Sequence, residues 1–414
     1  VGFTILVIVI TLGFVFATLA ATFLTYAVDV LPAAVKLTLN HFQVSSRVNL
    51  VQYFPKTLSK IFTAQWDMSE LIRWDAIPAQ CTPLNLTIYD RFYFTIGMPF
   101  IAICIFSFGL VALYGYRRYY GIFIRRIPVM FTEQSKSVRR ERVMLVVARF
   151  MARIRRVAQE HRDDVHRDDE RQQFYTPLEY LMGLTMVVLL LIYPSIISWC
   201  LTMWKCESLI AGDGDTLRTV SVLIADRRID CHASSHKTVQ NWSLAAAFFY
   251  GILVPIASFF TVKNWWTNFG VLHTTRLFKF FLCGYARELW WWETTVLARK
   301  LLTIFVVMMV DDSILRTYLM MWIMAIALGM HGWFQPFDPT RPSLYYLEGL
   351  GITTVVITLN LSLLFQFSTF ATGTAGNDAL VAVLLTINII TTVVFLLFLL
   401  RHVYFRVRRI IFGV

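Results

Sequence analysis

The stretch ELWWWETTVLARKLLTIF, residues 288–305, opens like a buried apolar helix yet carries Glu293, Arg299 and Lys300 inside its hydrophobic run. At mid-depth in lipid each such charge costs about 2.5 to 3.5 kcal/mol unless it snorkels, pairs or faces water. Either the stretch is not in a membrane or other helices supply partners. Composition argues against the first: of 414 residues, 57% are hydrophobic and 15% charged, and the mean hydropathy is +0.60, too apolar for an ordinary soluble domain.

A hydrocarbon core about 30 Å thick needs about 20 apolar residues in helical form. The windows that meet this are 1–28, 92–116, 178–204, 242–262, 290–310, 317–333, 344–367 and 379–400. Lipid offers no partner to free backbone groups, so runs of this length close their own hydrogen bonds as helices. Residues 1–28 lack a basic start and a small-residue cleavage pattern, and read as a span rather than a signal sequence. Residues 29–54 are ambiguous, because Lys36, Asn40, His41, Gln43 and Arg47 interrupt a helical, partly apolar pattern. The expected fold class is all-α: a polytopic transmembrane helical bundle of about nine spans, or eight if residues 33–55 are interfacial.

Between Arg117 and Arg171 there are 15 Lys plus Arg against 8 Asp plus Glu, a local excess of 15 − 8 = +7, which places this segment in the cytoplasm. The C-terminal tail from Arg401 belongs there too. The expected layout has first transmembrane helices in 1–116 with an extracellular loop at about 56–89, and a basic cytoplasmic amphipathic segment in 117–175. A main bundle fills 176–404 with an extracellular loop at 205–241, and 405–414 is a basic cytoplasmic tail. Cys206 and Cys231 flank the second exterior loop, where an oxidising compartment favours a disulfide between them. Asn85 heads an exposed Asn-Leu-Thr glycosylation sequon. Arg117, Arg118, Arg125, Arg126, Arg139 and Arg140, interleaved with apolar residues, suit an anionic inner leaflet.

Trp290 to Trp292 mark the cytoplasmic interface, so Glu293 is only about 4.5 Å deeper than Trp290 and can snorkel, whereas Arg299 is about 13.5 Å deeper. Glu348, in YYLEGLG, is the leading intramembrane carboxylate. Glu293, Arg299, Lys300 and Glu348 are thus expected to form an intramembrane charge network, either a structural clamp or the lining of a polar pathway. HRDDVHRDDER, residues 161–171, reads as a solvated mixed-charge face rather than a metal site. No nucleophile motif, phosphate-binding glycine loop or metal-ligand spacing is present, so neither an enzyme, a metal nor a cofactor is expected. The basic excess accompanies membrane spans and does not indicate nucleic acid.

In order along the chain, KLTLNHFQVSS (36–46), FYFTIGMPF (92–100), YPSIISWCLTMWKCES (193–208), VLIADRRIDCHASSHKT (222–238), the opening stretch and WFQPFDPTRPSLYYLEGLGI (333–352) resemble the TRP-like multipass domain of large protist and algal surface proteins. Fungal TRP-like and flavin-carrier proteins are more distantly similar. The resemblance covers nearly the whole chain and implies nine spans, an extracellular N-terminus, an ectodomain ahead of this domain, and a plasma or flagellar/ciliary membrane. The function expected from it is a cation channel or channel-related sensor. The alternatives are a non-conducting anchor for an extracellular adhesion or surface-assembly domain, and a carrier or lipid-handling protein. Expected partners are membrane lipids, further copies of the chain, or other membrane and surface proteins. Two departures stand out: there is no ankyrin array and no recognisable selectivity filter. TFATGTAGND, residues 369–378, reads as a glycine turn.

Overall fold

The structure, a computed structural model, describes residues 30–51, 54–69, 87–124, 177–211, 218–367 and 374–412. Its helices are α1 (Leu31–Val51), α2 (Lys56–Ser69), α3 (Ile88–Ile124) and α4 (Pro177–Thr202), then, after three strands, α5 (Ser234–Phe248), α6 (Val254–Leu277), α7 (Lys279–Leu282), α8 (Trp292–Met309), α9 (Ser313–Phe334), α10 (Pro342–Ser362) and α11 (Ala375–Phe412). The strands are β1 (Cys206–Ala211), β2 (Arg218–Leu223) and β3 (Asp226–Asp230). Two compact units divide the chain, one drawn from residues 1–102 and 183–414, the other from residues 103–182. Of the second unit the described residues are the end of α3 and the start of α4.

Six helical stretches among the described residues are long and apolar enough to cross a membrane: Ile88–Gly109, Leu181–Thr202, Ser234–Val271, Ser313–Phe334, Pro342–Phe365 and Ala375–Phe405. They coincide with six of the apolar windows in the sequence, and the protein is accordingly an integral membrane helical bundle. Residues 1–28 lie outside the described residues. Helices α1 and α8 are not among the six stretches: α8 carries Glu293, Arg299 and Lys300, and α1 combines Lys36 and Arg47 with Asn40, His41 and Gln43.

Helix α1 occupies the middle of the bundle, packed against α2, α7, α8, α9, α10 and α11. Residues 31–38 and 40–48 are all buried, polar ones included. A helix surrounded by other helices has no lipid face to keep apolar, so its sequence loses the greasy stripe that would mark it as a span. The domain layout changes accordingly: α1 belongs inside the main bundle rather than to a preceding group of helices. Near its start, Ala33 and Leu37 pack with Cys283, Trp292 and Leu344; near its end, Val44 and Val48 pack with Val306, Val307 and Leu359. Arg316, on α9, donates to the carbonyls of Leu50 (2.6 Å), Val310 (2.7 Å) and Asp311 (2.7 Å). One guanidinium thus caps the C-terminal ends of α1 and α8, where unpaired carbonyls and the helix dipole favour a cation. The two helices run parallel, side by side.

Helix α2 corrects the expectation of an exterior loop at 56–89 over residues 56–69; residues 70–86 lie outside the described residues. It turns back along α1, so that Leu58 and Phe62, both 0% exposed, join the cluster of Val44 and Val48. Gln65 donates to the hydroxyl of Thr392 (2.8 Å) on α11. One turn along α11, Phe395 stacks on His41, the midpoint of α1, at 4.4 Å between ring centroids. Gln65 therefore reaches roughly half-way down α1. Within the described residues, KTLSKIFTAQWDMS buries Leu58, Phe62 and Gln65 on the side that meets α1 and α11.

The strand region corrects the all-α expectation. β1, β2 and β3 form an antiparallel sheet in that order, with Cys206 opposite Leu223 and Ser208 opposite Ser221. It sits between the end of α4 and the start of α5, beside the start of α3, where Tyr89 and His236 are hydrogen-bonded at 3.0 Å. Arg47, near the end of α1, donates to Ser198 near the end of α4 (2.8 Å). The C-terminal ends of α1, α4 and α8, the starts of α3, α5 and α9, and the sheet thus share one face of the bundle.

At the opposite face the α7–α8 and α9–α10 connections lock together. The Ala286 amide donates to Pro336 O (2.8 Å) and the Asp338 amide to Gly284 O (3.0 Å). Gly284 has φ +86°, and a Cβ there would lie 3.1 Å from both Ala33 and Leu344, so backbone conformation and crowding both demand glycine. Between the faces, α5 continues into α6 through a π-helical turn, Phe249–Leu253, just before Pro255. Pro255 has no N–H for the carbonyl of Gly251, and Tyr193 donates its hydroxyl to that carbonyl instead (3.2 Å).

Candidate functional site

The charges of the opening stretch are partnered from other helices. Glu293, in the first turn of α8 where the helix dipole favours a carboxylate, lies 3.0 Å from Lys36 Nζ on α1. Its side chain is 1% exposed, so it does not snorkel, in contrast to the sequence expectation. Tyr285 donates its hydroxyl to the same carboxylate at 2.7 Å. Lys36 also donates to the carbonyls of Phe281 (3.1 Å) and Cys283 (3.4 Å) and sits 4.0 Å over the Tyr285 ring. Every face of the buried ammonium therefore meets an anion, a carbonyl or a π-cloud, as a desolvated cation requires.

Two turns along α8, Arg299 Nη2 lies 3.2 Å from Glu348 Oε1 on α10. Glu348 Oε2 faces His331 Nδ1 of α9 at 3.7 Å. His331 Nε2 is held 3.1 Å from Tyr345 O, an acceptor, so this nitrogen carries a hydrogen and only a protonated ring completes an ion pair with Glu348. Lys300 is buried, at 4% exposure, and makes no ion pair among the described residues. Lys36, Arg299 and Lys300 thus face two carboxylates.

The network expected from sequence comprised Glu293, Arg299, Lys300 and Glu348. The structure brings Arg299 to Glu348, gives Glu293 to Lys36, and leaves Lys300 apart. Lys36, Tyr285 and His331 were missing from that set. The signal for Lys36 is its own charge in a partly apolar helix, which calls for a carboxylate; which carboxylate answers it is decided only by the contact between α1 and α8. Above this layer, hydrogen bonds between α10 and α11 join Thr354 to Thr391 (2.8 Å) and Asn388 to Thr358 (3.0 Å).

On the sheet face, Cys206 and Cys231 form a disulfide across a separation of 25 residues. Their sulfurs lie near His236, but a disulfide has no thiolate to offer a metal, and both His236 nitrogens are engaged, with Tyr89 and with Met203 O (3.1 Å). Arg228 holds the Asp226 carboxyl below the usual carboxylate range through hydrogen bonds of 2.8 and 2.9 Å. Burial depresses the Lys205 ammonium, and the nearby Arg316 guanidinium pushes the same way. At the other face the backbone N–H and hydroxyl of Thr340 hold the Asp338 carboxyl low.

Comparison with protein-family models, curated proteins and solved structures returns no match. Chemistry alone bears on this site. Asn85, Arg125, Arg126, Arg139 and Arg140 lie outside the described residues, and Arg117 and Arg118 fall on the described backbone of α3. Asp378 is exposed in the first turn of α11, at the end of the glycine-rich connection.

Proposed function

We propose that the chain is a TRP-like membrane protein with nine spans that acts as a cation channel or channel-related sensor. The span count is supported by α1: Lys36 meets the start of α8, Leu50 meets the cap at its end, and a helix matched to α8 from end to end crosses whatever α8 crosses. With residues 1–28 as a further span, the N-terminus is extracellular, the sheet face is outside and the Tyr285–Phe337 face is cytoplasmic.

The observation that carries the channel reading is α2. It enters from the sheet face, reaches half-way down α1, and is followed in the chain by α3, which starts at the sheet face again. Such a re-entrant helix leaves backbone ends at membrane depth, which lipid tolerates only where protein or a wetted cavity surrounds them. The ion-pair layer has more cations than carboxylates and disfavours a permeating cation, so the path is assigned to the α2 side rather than through Arg299 and Glu348.

The second reading, a non-conducting anchor for surface assembly, draws on the closed pairs Lys36–Glu293 and Arg299–Glu348, which suit a rigid clamp. Purified protein in planar bilayers separates the two. The channel reading expects cation currents; folded protein without conductance belongs to the anchor. The basic residues around Arg117–Arg140 are assigned to anionic inner-leaflet lipids.

A further inference from the structure

Between the two apolar clusters, α1, α8, α9, α10 and α11 line a cavity of about 20 Å³ whose walls include Asn40, His41, Arg299, Glu348, Gly351 and Phe395. About 10 to 15 Å³ on this measure admits one water molecule. Four polar atoms of these wall residues have no hydrogen-bond partner among the described residues: Asn40 Nδ2, His41 Nε2, Arg299 Nε and Glu348 Oε2. Asn40, His41 and Glu348 are each more than nine-tenths buried. A buried polar group left dry costs on the order of 1 to 3 kcal/mol, more when charged, so four such atoms on residues that line one small cavity point to a guest.

The donors and acceptors decide which guest. Asn40 Nδ2 and Arg299 Nε can only donate, Glu348 Oε2 as a carboxylate can only accept, and His41 Nε2 accepts in one neutral tautomer. A metal cation would meet the Asn40 amide N–H and the Arg299 guanidinium. An anion would meet a carboxylate. The Arg299–Glu348 pair already balances the local charge, at 3.2 Å. A neutral molecule that accepts twice and donates twice fits all four, and at this volume that molecule is water.

We propose that one water molecule is bound here as a structural joint, accepting from Asn40 and Arg299 and donating to His41 and Glu348, so that α1, α8 and α10 meet through it. His331 Nδ1, 3.7 Å from Glu348 Oε2, is the other polar group facing this carboxylate. The cavity's shape is set by glycine: a Cβ on Gly351 would lie 3.0 Å from His41 Nδ1 and 3.1 Å from Phe395, so any larger residue drives the imidazole out of place. The site stands on these residues alone and does not depend on whether the protein conducts.

The test is an experimental structure of the full chain in lipid nanodiscs at a resolution that shows ordered water. The expected result is a single peak within about 2.6 to 3.2 Å of the four atoms. It should persist unchanged when sodium is replaced by thallium and chloride by bromide, and vanish in Gly351→Ala with a lowered midpoint of thermal unfolding. A wild-type map without a peak, or with the four atoms bonded directly to one another, overturns the proposal. So does a thallium or bromide signal in the cavity. If Gly351→Ala yields no folded protein, the wild-type maps decide alone.

Discussion

Lys36 and Glu293, 257 residues apart in the chain, are 3.0 Å from each other with side chains 3% and 1% exposed. A buried ion pair is weak evidence for stability in itself, because desolvation offsets most of its attraction. Breaking it is another matter. Glu293→Gln should leave the Lys36 ammonium dry and lower stability by about 3 to 5 kcal/mol, while Lys36→Met combined with Glu293→Leu should restore much of it. Thermal unfolding of detergent-solubilised protein measures this; equal losses in the single and double variants would show the pair to be uncoupled.

Lys300 predicts the opposite sign. A buried cation without an ion-pair partner contributes desolvation cost and little else, so Lys300→Met should leave the unfolding midpoint unchanged or raise it. A fall comparable with that of Glu293→Gln would mean that Lys300 has a counter-charge after all.

Arg316 joins two helix ends with one side chain. Arg316→Met releases the carbonyls of Leu50 and Val310 together and should cost on the order of 1 to 2 kcal/mol. Hydrogen exchange should localise the loss to the last turns of α1 and α8. Uniform loosening of the whole bundle would contradict the cap.

Asp338 sets a pH dependence at the Tyr285–Phe337 face. Its carboxyl is held low by hydrogen bonds from Thr340, so the contribution to stability is complete above the unfolded carboxylate value of about 3.9 and disappears as pH falls through the lower folded value. Protection of the Thr340 amide should therefore be flat from neutral pH to about pH 4 and fall below it. In Asp338→Asn that acid-dependent fall should be absent.

How much of this was legible in the sequence depended on length. Long apolar runs such as 317–333 and 379–400 correspond to α9 and α11 because twenty greasy residues admit one solution in lipid, and Cys206 and Cys231 are joined as loop logic suggested. Helix α2 was not legible: Lys56, Lys60 and Gln65 dilute its composition to that of a surface loop, and only Leu58 and Phe62 meeting α1 reveal that it enters the bundle. The sheet was missed because strands of five or six residues carry little periodicity beside helices of twenty or more. Of the charge network, depth was readable from spacing along α8, but the partnership of Glu293 with Lys36 depends on tertiary contact that no local pattern encodes.

Labelling from each side decides whether α1 crosses the membrane beside α8 with its charges paired inside. Val30→Cys and Lys56→Cys, in a background with the other free cysteines replaced, bracket α1. A non-permeant thiol reagent on intact cells should modify the second and reach the first only after permeabilisation. Modification of both from the same side would mean that α1 does not cross.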